Sequence, residues 1–254
     1  MNNLSISLQN QVALVTGGSR GIGRAIAVKL AQAGADVAIN YLRQRTAADE
    51  TVRMIEEHDS KALAIRANVG EYENIQQMLE QIENEFGKLD ILISNAASGV
   101  LKPAMELTER HWHWTMDINA GTLLPLTQHA LPLMKDGGTI VAVSSLGSIR
   151  AIPNYAAVGA SKAALESLIR HLAVELAPKC IKVNAVSAGT VDTDALKYFP
   201  NRDELLDESR KRTPTGRLTT PDDIANVVLY LCSRFSDQIQ GQTIVIDGGY
   251  SILA

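Results

Sequence analysis

Three side chains that could together stabilise a negatively charged oxygen lie close in the sequence: Ser145, Tyr155 and Lys162. The two hydroxyls can donate hydrogen bonds and the ammonium supplies positive charge, as catalysis at a developing oxyanion requires. On a helix, seven residues turn about 700°, so Tyr155 and Lys162 would share one face, roughly 10 Å apart along the axis. Pro153 and Asn154 predict that this helix begins just before Tyr155, with Asn154 as its N-cap.

A glycine-rich loop lies near the start of the chain, between an apolar run at 12–16 and a helical pattern at 24–31. In this arrangement Gly17 permits a tight turn, Gly21 lets the backbone approach a pyrophosphate, and Gly23 allows close packing of helix on strand. The helix N-terminus then offers unpaired N–H groups and a positive dipole end to phosphate. The loop therefore predicts a dinucleotide site.

The residues after the second predicted strand indicate which dinucleotide is used. Proteins that bind NAD place a carboxylate there for the ribose hydroxyls, but the four residues from Asn40 to Arg43 contain no acid. Arg20 in the glycine loop and Arg43 supply two guanidinium groups, which suit a 2′-phosphate. We expect NADP(H). The alternative is that both arginines are simply solvated.

Short apolar runs alternate with amphipathic segments along the whole chain. This alternation predicts parallel strands joined by right-handed crossovers. The predicted fold is α/β: one Rossmann-type domain over residues 1–254, with a doubly wound parallel sheet of about seven strands flanked by helices. The predicted strands are 12–16, 37–40, 62–65, 91–94, 139–143, 181–186 and 243–246, and the predicted helices are 24–31, 48–57, 73–86, 109–134, 155–176, 202–211 and 221–232.

The longest irregular region, around 187–220, follows the carboxyl end of the sixth predicted strand. Ligands bind at that end of the strands in open α/β sheets, so we interpret this region as a substrate lid. Leu196, Tyr198 and Phe199 are either core residues of the lid or walls for an acyl chain.

Composition excludes several other classes of protein. The formal net charge is −4, with Lys and Arg spread along the chain, so neither a nucleic-acid partner nor a membrane partner is expected. Cys180 and Cys232 cannot form a disulfide framework, and the N-terminus lacks a signal-peptide pattern, so we expect a cytoplasmic protein. His111 and His113 would point about 200° apart on a helix, so no metal site is expected there.

Several motifs together resemble the short-chain dehydrogenase/reductase family: the glycine loop beginning at Thr16, the run Asn95-Ala96-Ala97, Asn119, and the stretch from Ser145 to Lys162. The resemblance covers nearly the whole chain. It implies adenine contacts near Asn68 and nicotinamide contacts in 187–191. The glycine loop, the two arginines and the resemblance together give the expected cofactor residues: Gly17, Ser19, Arg20, Gly21, Ile22, Gly23, Arg43, Asn68, Val69, Asn95, Ala96, Lys162 and Thr190.

One departure from the family pattern concerns the tyrosine. Most members carry it four residues before the lysine, where this chain has Val158. The nearby tyrosine is Tyr155, and the wider Tyr-x6-Lys spacing resembles the enoyl-acyl-carrier-protein reductase branch, in particular its NADPH-dependent type III subgroup. Ser187-Ala188-Gly189, where carbonyl reductases tend to have Pro-Gly, is similar to the same branch.

This resemblance implies hydride transfer from NADPH to the β-carbon of a 2-enoyl thioester carried on acyl-carrier protein or coenzyme A. Tyr155 would stabilise the enolate oxygen, Lys162 would bind the nicotinamide ribose, and Ser145 is the least certain catalytic member. Asn119 resembles the family residue that bends a helix and anchors a water relay; the alternative is a structural asparagine at a helix irregularity. The resemblance also implies a homo-oligomer, a tetramer or dimer built on the helices around 109–134 and 155–176, and a role such as fatty acid biosynthesis. Two alternatives remain: a 3-oxoacyl or carbonyl reductase of the same family, and a non-catalytic NADP-binding protein.

Overall fold

Seven parallel strands form one sheet in the computed structural model, which describes residues 5–193 and 202–253. The order across the sheet is β3-β2-β1-β4-β5-β6-β7. This confirms the predicted doubly wound α/β sheet. The strands are β1 Val12–Val15, β2 Asp36–Tyr41, β3 Ala62–Arg66, β4 Ile91–Ser94, β5 Gly138–Ser145, β6 Ile181–Ala188 and β7 Thr243–Ile246.

Helices connect successive strands and cover both faces of the sheet. Their positions agree with the predicted segments to within a few residues, apart from the region 109–134. The α-helices are α1 Gly21–Gln32, α2 Arg45–Glu56, α3 Tyr72–Phe86, α4 Glu109–Met116, α5 Leu123–Ala130, α6 Ala156–Leu176, α7 Arg202–Arg212 and α8 Pro221–Cys232.

The predicted long helical region over 109–134 is present, but it is not one regular α-helix. A π-helical segment at Asp117–Gly121 separates α4 from α5, and a 3-10 turn at Leu131–Leu133 follows α5. A π-turn of this kind widens the helix by one residue and is frequent at functional sites.

The five inner strands, from β2 to β6 across the sheet, bury side chains on both faces, which explains why their sequences are largely apolar; the edge strands β3 and β7 are only partly buried. Leu14, Leu92 and Ile140 pack on the side of α3, α5 and α6, whereas Val15 and Ile93 pack on the side of α1 and α8. Both layers are mainly apolar, and the glycine loop, Asn95 and Ser145 lie at the carboxyl ends of their strands.

The strand order reverses between β1 and β4, which pair directly although β2 and β3 follow β1 in the chain. Ligands of open α/β sheets bind at such a switch point, outside the carboxyl ends of the strands. The glycine loop follows β1 there and Asn95 follows β4.

The extent of the domain and of its lid stays a prediction. Residues 194–201, with Leu196, Tyr198 and Phe199, lie outside the described residues. Within the described ranges, the structure contains no helix of sufficient length and apolarity to traverse a bilayer.

Candidate active site

The end of β5 and the start of α6 bring together the three residues predicted to be catalytic. Ser145 is the last residue of β5, and its Oγ lies 3.3 Å from the Tyr155 hydroxyl oxygen. Lys162 is buried on α6 and its Nζ donates a hydrogen bond of 2.7 Å to the carbonyl of Val143. Ser145, the least certain member in the sequence, is therefore the direct partner of Tyr155.

Tyr155 itself is the N-cap residue of α6, so the prediction that Asn154 caps this helix is wrong. Asn154 has a left-handed backbone (φ 60°), which asparagine tolerates better than most residues, and it serves as a turn residue. The phenol thus approaches Ser145 from just outside the first turn of the helix.

Two glycines make room for the displaced tyrosine. A Cβ atom at Gly147 would lie 2.5 Å from the Tyr155 ring, and one at Gly159 would lie 2.6 Å from the Gly147 carbonyl oxygen. The turn after β5 therefore packs directly on α6, and the ring rests against its backbone.

Val158 fills the position that the family tyrosine usually occupies. It is buried, and a Cβ atom at Gly99 would lie only 2.4 Å from its Cγ2. The loop after β4 thus packs on the valine, which leaves Tyr155 to present the hydroxyl.

Burial changes the acid–base properties of both functional groups. It raises the pKa of Tyr155, while the hydrogen bond with Ser145 acts in the opposite direction. The phenol therefore keeps its proton at neutral pH and can donate it in a hydrogen bond. Burial also lowers the pKa of Lys162 to about 8, against the opposing charge of Glu166, so the ammonium is mostly charged at pH 7.

Asn95 holds the glycine loop against β4. Its Nδ2 donates to the carbonyls of Thr16 (2.9 Å) and Gly17 (3.2 Å), and its backbone N–H donates to the Thr16 hydroxyl. A Cβ atom at Gly23 would lie 2.3 Å from the Gly17 carbonyl oxygen and 2.6 Å from Asn95 Nδ2. The close packing predicted for Gly23 is thus part of the structure, and Asn95 shapes the loop.

Three further polar residues stabilise this loop and were missed in the sequence. The guanidinium of Arg24 donates to the carbonyl of Ser19 at 2.8 Å, and the Thr51 hydroxyl donates to the same carbonyl at 3.1 Å. Asn40, which is buried, accepts from the backbone N–H of Gly17 and donates to Ala67. A polar residue inside the apolar pattern of β2 was the available signal for Asn40.

The remaining residues assigned to the cofactor follow strand ends on the same edge of the sheet. Arg43 and Arg20 are exposed. Thr190 donates its hydroxyl hydrogen to Ser209 of α7, which ties the segment after β6 to the neighbouring helix. The segment that follows β1 and begins α1 contains Ser19, Arg20, Gly21, Ile22 and Gly23. The residues after the other strands are Arg43 (after β2), Asn68 and Val69 (after β3), Asn95 and Ala96 (after β4) and Thr190 (after β6).

The N-terminus of α1 fits the pyrophosphate of a dinucleotide. Its N-cap residue, Arg20, makes no side-chain capping bond, and the first turn contains no acid. Gly17 and Gly21 both have positive φ (64° and 55°), so the backbone turns as the predicted phosphate loop requires. The first-turn N–H groups are therefore oriented to receive an anion.

Asn119 connects the loop after β4 to α6. Its Oδ1 accepts from the backbone N–H of Ser98 at 2.8 Å, and its Nδ2 donates to Ser161 Oγ at 3.0 Å. The π-helical segment presents this buried amide to both elements. The structure thus gives Asn119 a bridging role beside Lys162.

The aromatic and histidine cluster on α4 is not arranged around a metal. His111 accepts a hydrogen bond from the N–H of Thr108 at the helix cap, and His113 lies 3.6 Å from Glu109. Among the residues that the structure describes, no three potential ligands come together.

Comparison with known proteins adds the following similarities. The family model described as "Enoyl-(Acyl carrier protein) reductase" matches residues 17–251. The chain is 39% identical to 1-cyclohexenylcarbonyl-CoA reductase of Streptomyces collinus over 97% of its own length and 89% of that protein. It is 37% identical to hydroxynaphthalene reductase-like protein Arp2 of Metarhizium guizhouense over 96% of each chain. A crystal structure of a short-chain type dehydrogenase/reductase from Mycobacterium marinum superposes with a TM-score of 0.90, 33% identity and 98% coverage of both chains.

The bridging role of Asn119 predicts a loss of stability when its amide is removed. Asn119→Ala leaves the Ser98 N–H and the Ser161 hydroxyl without this partner, so we expect the free energy of unfolding to fall by about 1–3 kcal/mol. Urea denaturation measures the change. Asn84→Ala, at an exposed asparagine of α3, is the matched control, and an equal loss in both variants would contradict the bridging role.

Proposed function

Since the chain belongs to the short-chain dehydrogenase/reductase family and is an oxidoreductase, we propose that it reduces the carbon–carbon double bond of a 2-enoyl thioester with NADPH. The observation that carries this proposal is the pairing of Tyr155 with Ser145 while Val158 closes the usual tyrosine position. The Streptomyces relative supports it, because the name 1-cyclohexenylcarbonyl-CoA denotes a thioester whose carbonyl is conjugated to a double bond.

In this reaction a bound nicotinamide supplies a hydride to the β-carbon, and negative charge develops on the thioester oxygen. Tyr155 donates a hydrogen bond to that oxygen and keeps its proton at this stage, and Ser145 hydrogen-bonds either the phenol or the same oxygen. The Lys162 ammonium donates one of its three N–H groups to the Val143 carbonyl, so two remain to bind the ribose hydroxyls. A proton from Tyr155 or solvent then completes the reduction at the α-carbon.

The role of Tyr155 is tested by Tyr155→Phe. The variant loses the donor to the developing oxyanion, so we expect kcat to fall about 10²- to 10³-fold with little change in NADPH affinity. The assay follows NADPH absorbance with a crotonyl thioester. Tyr72→Phe, at an exposed tyrosine of α3, is the control. A rate near that of the unmodified protein would remove Tyr155 from the mechanism.

Reduction of a ketone is the second candidate function, and two observations favour it. The Ser145–Tyr155 hydroxyl pair would suit the oxygen of a 3-oxoacyl thioester or another carbonyl compound, and the Metarhizium relative is named as a hydroxynaphthalene reductase-like protein. Parallel assays with crotonyl and acetoacetyl thioesters separate the candidates. Turnover of the acetoacetyl substrate alone would refute enoyl reduction, and no turnover of either with intact NADPH binding would support a non-catalytic protein.

NADPH is the proposed cofactor because of the residues that follow β2. Leu42, Arg43 and Gln44 join β2 to α2 without an acid. Arg43 is exposed, and Arg45, at the start of α2, is already paired with Asp49 at 2.8 Å. Arg43 is therefore the guanidinium best placed to receive a 2′-phosphate.

Arg43→Ala should selectively weaken the use of NADPH. Loss of a charge-assisted hydrogen bond of about 1.5–3 kcal/mol corresponds to a rise in the KM for NADPH of roughly 10- to 100-fold. The KM for NADH should stay unchanged, because NADH has no 2′-phosphate. Arg53→Ala, at an exposed arginine further along α2, is the control. Equal effects on both nucleotides would contradict this assignment.

A homo-oligomer, tetramer or dimer, is also part of the proposal. Trp112 and Trp114 of α4, Leu124 of α5 and Val174 of α6 are between 41% and 76% exposed in the single chain. Large exposed apolar side chains on neighbouring helices are typical of surfaces that pair with another subunit.

Sedimentation equilibrium tests this assembly. We expect a mass of two or four times the chain mass of 27.4 kDa, and a lower mass for Val174→Glu, because a carboxylate would be buried at the interface. A mass of 27.4 kDa for the unmodified protein would contradict the proposal.

A further inference from the structure

Each of the last three residues of β5 is hydrogen-bonded to a different residue, which lies either on α6 or at its N-cap. The Val143 carbonyl accepts from Lys162, and Ser145 meets Tyr155, as described above. Between them, the Ser144 hydroxyl donates to Glu166 Oε1 at 2.5 Å. The proposed reaction gives Tyr155 and Lys162 roles but leaves this buried carboxylate without one.

Glu166 occupies a costly position for a carboxylate. It is 8% exposed and follows Leu165 on a helix face that is otherwise packed in the core. Burying a carboxylate costs several kcal/mol unless hydrogen bonds and an opposite charge compensate. The Ser144 hydroxyl supplies a hydrogen bond, and the positive charge comes from Lys162, one helical turn earlier on α6.

Lys162 needs a negative charge nearby for the same reason. It is 6% exposed, and its hydrogen bond goes to a neutral carbonyl. Burial lowers its pKa to about 8, and the charge of Glu166 raises it, so without Glu166 the amine would lose its proton at a lower pH.

Other charged groups do not replace Glu166 within the residues that the structure describes. β5 contains no acid or base. Lys182 of β6 is bonded near the opposite end of that strand, and Asp117 on the π-helical segment is exposed. On α4, His111 bonds at the N-cap, and His113, like the other charged residues of that helix, is exposed.

We propose that Glu166 is a positioning residue: its charge keeps the Lys162 ammonium protonated and in place, and Ser144 anchors that carboxylate to the strand that ends in Ser145. The inference rests on the proposed function only for what Lys162 does with the cofactor. The interaction between the two charges is a property of the protein itself.

The primary test measures the protonation of Lys162 directly. Lysine labelled with ¹³C at Cε is incorporated into the full chain, and the shift of each Cε is followed by NMR from pH 6 to pH 11. The Lys162 signal is assigned by its absence in Lys162→Arg. We expect Glu166→Gln to move the Lys162 midpoint to lower pH, because the neutral amide no longer stabilises the ammonium. Glu175→Gln, an exposed acid on the same helix, should leave it unchanged.

Glu166→Asp is the matched variant that keeps the charge and shortens the side chain. Its midpoint should lie closer to that of the unmodified protein than to that of Glu166→Gln. The proposal would be overturned if the Lys162 midpoint were the same in Glu166→Gln as in the unmodified protein. It would also be overturned if Glu166→Asp displaced the midpoint as much as Glu166→Gln does. If Glu166→Gln does not fold, Glu166→Asp alone tests the proposal. Because the shorter side chain should weaken the interaction with Lys162, a Lys162 midpoint at higher pH than in the unmodified protein would overturn it.

The pH profile of turnover is the second readout. In Glu166→Gln the alkaline decline in kcat/KM for NADPH should begin at lower pH, with activity recovering as the pH falls towards 6.5. A structural role alone would lower activity by the same factor at every pH. The NMR midpoint is measured without substrate, so the two proposals can fail separately. If the unmodified protein does not reduce enoyl thioesters but Glu166→Gln still lowers the Lys162 midpoint, the proposed function is refuted and the role of Glu166 is retained.

Discussion

The hydrogen bond from the buried Lys162 ammonium to the Val143 carbonyl fixes how α6 lies on β5. A buried ammonium needs a hydrogen-bond acceptor. If α6 slid along β5, the Lys162 ammonium would lose this acceptor or become exposed to water. Tyr155 enters the site from the start of the same helix, and Ser161 on it meets Asn119. The register of one helix on one strand therefore places each polar group near the proposed chemistry.

The displaced tyrosine follows from packing at the helix start. Val158 is held under the loop after β4, where Gly99 lets the backbone come close. The hydroxyl must then come from outside the first turn, and the space for the ring exists because Gly147 has no Cβ atom. Two glycines and a valine thus determine which residue presents its hydroxyl to Ser145, although none of the three can donate a side-chain hydrogen bond itself.

The sequence predicts the sheet well because its inner strands are buried on both faces and its strands are bounded by glycines or polar residues. It predicts the helical region over 109–134 but not the π-turn within it, where Asn119 bonds to Ser98 and Ser161, which are far away in the chain. Ser145 remained uncertain for the same reason: a contact across ten residues of turn has no local signature. Asn154 had the residue type of a cap, but the left-handed turn moved the cap to Tyr155.

Most of this fold is explained by burial of apolar surface, and the polar layer beneath α6 is not. A leucine at position 166 would pack against the sheet at little cost, whereas a buried ion pair is at best a modest contributor to stability. Glu166 and Lys162 make sense together: one charge lowers the cost of the other, and Ser144 joins them to the strand that presents Ser145. In the proposed reaction these charges keep a cation at the carboxyl end of β5, where Lys162 bonds to Val143, two residues before Ser145.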